Sequence, residues 1–169
     1  MTAGRKIKTK SQDWCTPLKY AKPIEEFFVK IDLDPCSNKE SIVNAEVKLY
    51  DNGLVHNWDK YNTIYVNPPY GKACNSSIYD WLKKCYETKA EVIALIPVAT
   101  NTKHWKNFVF KANVICFLSD TRLKFLINGT TNNKGASMAC CLVYWGGRTE
   151  NFISKFKKYG TCCIPINSA

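Results

Sequence analysis

Short apolar runs alternate with stretches of helical periodicity from about residue 24 onward. Residues 27–33 predict a strand that stops at Asp34-Pro35, because proline brings no N–H to a ladder. Thr63-Ile64-Tyr65-Val66 predicts a second strand, closed by Asn67-Pro68-Pro69-Tyr70. Ile78, Trp81, Leu82 and Cys85 recur at helical spacing and predict a helix over 76–88. A buried strand over 91–96 is stopped by Pro97, a short helix follows over 103–110, and another strand over 114–118. The apolar run 136–145 ends at Gly146-Gly147, 150–159 predicts a last amphipathic helix, and 162–166 an edge strand. Strands interleaved with helices predict an α/β fold with a mainly parallel central sheet and helices on both faces. In such sheets ligands sit outside the carboxyl ends of the strands. Asp34, Asn67 and Pro97 all fall at predicted strand ends, which is the first functional signal.

Composition adds boundaries. A chain of 169 residues with 46% hydrophobic and 13% aromatic residues can bury one core, which excludes global disorder and favours a single domain. No apolar run reaches the ~18–20 residues that span a bilayer, so no membrane partner is expected. Arg5, Lys6, Lys8 and Lys10 are followed by no apolar stretch, so residues 1–10 read as a flexible basic tail rather than a signal peptide, ahead of a domain over 11–169. The net charge is +10, and residues 101–169 carry ten Lys and Arg against only Asp120 and Glu150. That asymmetry fits a polyanionic partner met by the second part of the chain; a plain solvated lysine-rich face is the alternative. None of the nine cysteines forms a C-x-x-C pair, and 140–141 and 162–163 are adjacent. They read as reduced, mostly buried thiols of a cytoplasmic protein, with no metal site expected.

The sharpest feature is Asn67-Pro68-Pro69-Tyr70. Alone, Pro-Pro reads as a stiff structural turn. At the end of a buried strand it can do more. The Asn67 side-chain oxygen and the Pro68 carbonyl can accept both hydrogens of an exocyclic amine, and Tyr70 offers a flat face to a heteroaromatic ring. An amine conjugated to such a ring is a poor nucleophile. Two acceptors that draw its hydrogens out of plane localise the lone pair and aim it, without any His or Cys nucleophile.

The pieces Asp13-Trp14-x-Thr16-Pro17, Asp32-Leu33-Asp34-Pro35-Cys36, Asp51-x-Gly53-Leu54 with Trp58, and Val66 through Gly71 are followed by Leu95-Ile96-Pro97-x-Ala99-Thr100-x-Thr102-x-x-Trp105, by Phe117-Leu118 with Arg122-Leu123-Lys124-Phe125, and by Tyr144-Trp145-Gly146. In this order they resemble the phage-type, Dam-like DNA N6-adenine methyltransferases over about residues 13–146, about four fifths of the chain. The resemblance implies a compact Rossmann-like methyltransferase fold and S-adenosylmethionine as cofactor. It makes Asn67, Pro68, Pro69 and Tyr70 the catalytic motif. It places Trp14, Thr16 and Pro17 at the methionine end of the cofactor, Asp34, Pro35 and Cys36 in the first cofactor loop, and Asp51 and Leu54 around the cofactor's adenine, with Glu46 as another candidate for that acid. The chain lacks G-x-G-x-x-G, which a cofactor without a pyrophosphate does not require. Only 33 positions separate Asp34 from Asn67, so the elements between them must be abbreviated.

N-P-P-Y motifs also serve enzymes that methylate protein glutamine, and related motifs serve RNA. Another alternative is a non-catalytic DNA-binding module on the same scaffold. The extended resemblance, the leading Asn and the basic second part favour adenine in double-stranded DNA, reached by flipping the base out of the stack. Recognition is expected from the loop over 119–135, with Arg122, Lys124 and Lys134, and from Lys103 beside the cleft; His56 and His104 are given no proton-transfer role. The oligomeric state is left between a monomer and a weak dimer, and the location as the cytoplasm, a host cell's if the chain is viral, with nucleoid association during action on DNA.

Overall fold

A computed structural model describes residues 14–70, 77–120, 122–127, 130–131 and 138–166. Residues 1–13, Cys74 and Lys134 lie outside the described residues. Pro17 opens α1 (Leu18–Phe28), which carries Pro23 in its interior and buries Tyr20, Ile24, Phe27 and Phe28. The expected strand over 27–33 is therefore corrected: Phe27 and Phe28 form the last turn of a helix, and β1 is Ile31–Asp34. Two prolines, normally helix breakers, hid the helix from the pattern. The two elements are joined through Val29, whose φ of 68° is rare for a β-branched residue.

Strand β2 (Ala45–Lys48) has no counterpart among the sequence expectations, while β3 (Thr63–Val66) has the expected bounds. Helix α2 (Ile78–Glu87) begins at a capping box, in which the Ser77 amide and hydroxyl both donate to Asp80 at 2.8 Å. Then come β4 (Glu91–Pro97), α3 (Lys103–Asn107), β5 (Val114–Leu118), β6 (Leu126–Ile127), β7 (Thr130–Thr131), β8 (Cys140–Trp145), α4 (Thr149–Phe156) and β9 (Gly160–Cys163). The expected helix over 103–110 is shorter, giving way after Asn107 to a 3-10 turn at Val109–Lys111. The edge strand starts earlier than 162. Gly160 makes this possible, since a Cβ there would lie 2.0 Å from the Phe117 carbonyl oxygen.

The fold is mixed α/β, with one seven-stranded sheet in the order β2-β1-β3-β4-β8-β5-β9 and a small β6-β7 pair. Strands β2, β1, β3 and β4 pair in parallel; β4-β8, β8-β5 and β5-β9 are antiparallel, and β4-β8 is the longest ladder. The mainly parallel sheet expected from the pattern is thus present in one half only, because β8 inserts in reverse between β4 and β5. Helices do cover both faces. Tyr20, Ile24 and Phe27 of α1 and Phe152 and Phe156 of α4 pack on Tyr65, Ile93, Leu95 and Leu142, whereas Trp81 and Leu82 of α2 and Trp105 of α3 pack on Ile64, Val66, Val92 and Ala94. Of the eight described cysteines, five are buried, Cys36 and Cys162 are half-buried, and Cys163 is exposed. Among the described residues, no helix is long and apolar enough to cross a membrane.

Candidate active site

Strand β1 has β2 on one side and β3 on the other, so the carboxyl ends of β1 and β3 flank a point where the strand order reverses. Open α/β sheets bind ligands in such crevices. Asp34 is the last residue of β1, and Asn67 follows β3 directly. Residues 14–16 cross this region and are tied down on three sides. Cys15 and Leu126 exchange backbone hydrogen bonds of 2.9 and 3.0 Å, the Thr16 and Tyr65 hydroxyls lie 2.6 Å apart and buried, and the Cys15 thiol donates to Asn38 Oδ1 at 3.1 Å.

The Asn67 side chain has a fixed orientation. Its Nδ2 donates to the Trp14 carbonyl at 2.7 Å, so Oδ1 points away from that carbonyl, and among the described residues its contact is a long 3.4 Å one from the Tyr70 hydroxyl. The assignment of amide nitrogen and oxygen follows from this partner, because a carbonyl can only accept. Pro68 and Pro69 stiffen the backbone behind it. Tyr70 is half-buried, and its hydroxyl is likewise 3.4 Å from the Leu95 carbonyl. Both contacts are long for a hydroxyl bond, and the Cys140 thiol is a further hydrogen-bonding neighbour of the hydroxyl. The Tyr70 ring meets Trp14 edge-on at 6.1 Å and Phe125 at 5.9 Å, and Trp14 stacks on Phe125 at 5.3 Å. Phe125 belongs to the Arg122–Phe125 piece of the resemblance, and its inward role is a finding of the structure. The alternation of exposed Arg122 and Lys124 with buried Leu123 and Phe125 is the signal that it faces inward.

Asp34 is only 3% exposed. Burial pushes its carboxyl up from 3.8 to about 6, against the opposing pull of the Ser37 hydroxyl, the Cys36 amide and the more distant Lys48 charge. Among the described residues, no cation within ion-pair distance compensates it. Asp34, Asn67, Thr16, Tyr65, Cys36 and Trp14 line one cavity of about 10 Å³, roughly the room of one water. The buried Trp14 Nε1 has no hydrogen-bond partner among the described residues. A buried acid with no ion-pair partner among the described residues suits a ligand that carries an ammonium.

The other expected site residues divide. Pro35 and Cys36 lie in the Asp34 loop, and the Asn67 backbone N–H faces the Cys36 thiol. Pro17 caps α1 beside Thr16. The loop of Asp51 and Leu54 is brought onto Pro35, because Gly53 sits so close that a Cβ there would be 1.8 Å from the Pro35 oxygen. Asp51 itself is exposed, and Leu54 packs half-buried beside Trp58 while its carbonyl accepts from Lys84. Glu46 instead pairs with Lys30 at 2.9 Å. Arg122 and Lys124 are exposed on the segment that carries Phe125. Lys103 is exposed at the start of α3, whose Trp105 packs on the opposite face of the sheet from Phe125. The structure does not group it with them. Arg148 is half-buried, paired with Glu91 and stacked 4.4 Å from the Phe27 ring centre. His104 contacts Thr102 Oγ1 at 3.1 Å, and burial lowers its pKa.

A sequence model of the DNA N-6-adenine-methyltransferase (Dam) family matches residues 4–158. The chain belongs to the Dam family. No curated protein and no solved structure matches it. The Dam-family match spans both ends of the crevice, from the Trp14 segment through β1, β3 and the Asn67 motif to the Arg122–Phe125 segment. DNA adenine-N6 methylation is the activity this membership supports.

Proposed function

We propose that this Dam-family protein transfers a methyl group from S-adenosylmethionine to N6 of a flipped-out adenine in double-stranded DNA. The carrying observation is the Asn67 amide, held through its nitrogen by Trp14 so that its oxygen is left to accept, in the same cavity wall as the buried Asp34. The cofactor, when bound, supplies an electrophilic methyl group. The Asp34 carboxylate would hold its ammonium, with Thr16, Pro17, Cys36 and the Trp14 indole around the methionine end and Asp51 and Leu54 towards its adenine. A cavity of about 10 Å³ has to widen for such a ligand.

Asn67 Oδ1 and the Pro68 carbonyl accept the two hydrogens of the target amine, which frees the nitrogen lone pair. Tyr70 stacks on the flipped base and offsets part of the few kcal/mol that unstacking costs. No side chain of the protein acts as a nucleophile, which is the chain's part in a direct, in-line transfer. Arg122, Lys124 and Lys134 contact DNA, and Lys103 does so from the α3 side. The half-parallel sheet is read as a Rossmann-like methyltransferase variant, since its parallel half alone builds the crevice.

Incubation with labelled cofactor and duplex DNA, RNA or a protein mixture tests this function. Label in duplex DNA is expected. Label only in protein or RNA would overturn the substrate, and no cofactor binding by calorimetry would leave a non-catalytic DNA-binding module.

A further inference from the structure

Asn67 has two faces, and only one is used by the transfer proposed above. The other, its Nδ2, is committed to the Trp14 carbonyl at 2.7 Å. That carbonyl belongs to a segment braced by the Thr16–Tyr65 hydroxyl pair, by the Cys15–Asn38 contact and by the Cys15–Leu126 bridge. We propose that the Trp14 backbone carbonyl is the positioning group for Asn67, that Tyr65 acts through Thr16 to hold it in place, and that this protein consequently requires Asn rather than Asp at position 67. The proposal rests on the reading of Asn67 as the acceptor of the target amine.

The physical reason is donor and acceptor bookkeeping. An ionised carboxylate is acceptor-only, whereas the Trp14 carbonyl needs a donor. Asn67→Asp would set a carboxylate oxygen against a carbonyl oxygen at hydrogen-bond distance, and the side chain would rotate away. A protonated carboxyl restores both functions, since its O–H can donate to Trp14 while its carbonyl oxygen accepts from the amine. Activity of Asn67→Asp should therefore return as pH falls, in a way that loss of packing would not reproduce.

The titratable groups around position 67 are Asp34 and Cys36 from the β1 loop, Cys15 from the 14–16 segment, Tyr65 from β3, Tyr70 from the motif, and Cys140 from β8 behind Tyr70; Arg122 and Lys124 stand exposed on the adjoining segment. All of them are present in both proteins, so the ratio of variant to wild-type rate isolates the introduced carboxyl.

The experiment is single-turnover methylation of duplex DNA at saturating cofactor between pH 5.5 and 8, for the wild type, Asn67→Asp and Tyr65→Phe, with cofactor affinity by calorimetry and DNA affinity by anisotropy. At pH 8, Asn67→Asp is expected to be slower by about 100-fold, the size of effect seen when one oriented hydrogen-bonding group is lost from a reacting centre. Its ratio to wild type should climb by about tenfold per pH unit on the alkaline side of the carboxyl's titration. Cofactor and DNA affinities should stay within about twofold. Tyr65→Phe, which retains the buried ring, should lower kcat by several-fold with KM for DNA unchanged. A rate for Asn67→Asp equal to wild type at pH 8, or a ratio flat with pH, would overturn the Trp14 role; an unchanged kcat in Tyr65→Phe would overturn the Tyr65 role. Either failure leaves an active wild type. An inactive wild type, by contrast, would remove the transfer reading itself.

Discussion

Asp34→Asn should make the protein more stable and unable to hold its cofactor. The rise of the folded-state carboxyl from 3.8 to about 6 corresponds to about 3 kcal/mol of unfavourable ionisation above pH 7, at 1.36 kcal/mol per pK unit. The sign follows from proton binding. The folded state holds the Asp34 proton more tightly than the unfolded chain does, so stability falls as pH rises from 3.8 through 6 and is level above that. An asparagine has no charge to bury, and its oxygen can still accept from the Cys36 amide, a 3.3 Å contact in the wild type. Urea denaturation at pH 5 and pH 7.5 should show the variant gaining on the wild type as pH rises, by up to about 3 kcal/mol at the upper pH. Calorimetry should show the opposite for function. Wild-type affinity for S-adenosylmethionine should rise as pH passes about 6 and the carboxylate becomes available for the ammonium, and Asp34→Asn should lose most of that affinity at every pH. A variant no more stable than wild type at pH 7.5, or one that binds the cofactor normally, would refute the assignment of Asp34 as an uncompensated acid awaiting a cation.

Three further outcomes follow from contacts already described. Tyr70→Phe should keep most activity, because it retains the ring that packs on Trp14 and Phe125, whereas Tyr70→Ala should lose DNA-dependent activity; equal losses measured in a methylation assay would argue against stacking. Arg122→Ala and Lys124→Ala should each weaken DNA binding and reduce the slope of log K against log salt by about one, read by anisotropy across a salt series. Gly53→Ala should lower both the melting temperature and the cofactor affinity, since its Cβ would meet the Pro35 oxygen at 1.8 Å, while Gly147→Ala, with open space around it, is the matched control.

The strand–helix alternation was legible in the sequence because buried strands such as Thr63–Val66 and Glu91–Pro97 are short, β-branched and stopped by proline. Helix α1 was not, since Pro17 and Pro23 mask a periodicity that Tyr20, Ile24, Phe27 and Phe28 actually carry. The reverse insertion of β8 was also hidden. A fully buried strand reads as a continuous apolar run in either direction, and only its partners decide the sense. At the site, Asn67, Tyr70 and Asp34 stood out because prolines beside strand ends mark chemistry that local pattern can register. Tyr65, Asn38 and Phe125 did not. Their part depends on contacts across 49, 23 and 111 positions, to Thr16, Cys15 and Trp14, which no local periodicity encodes.

The central assignment is a methyl group placed on adenine N6 by the Asn67 motif, and the most direct measurement is of the product. Duplex DNA incubated with the wild-type chain and S-adenosylmethionine, digested to nucleosides and analysed by mass spectrometry, should contain N6-methyldeoxyadenosine. The same reaction with Asn67→Ala should contain none, while its cofactor affinity stays near that of the wild type. Methylated cytosine in place of adenine, or N6-methyldeoxyadenosine formed equally well by Asn67→Ala, would contradict it.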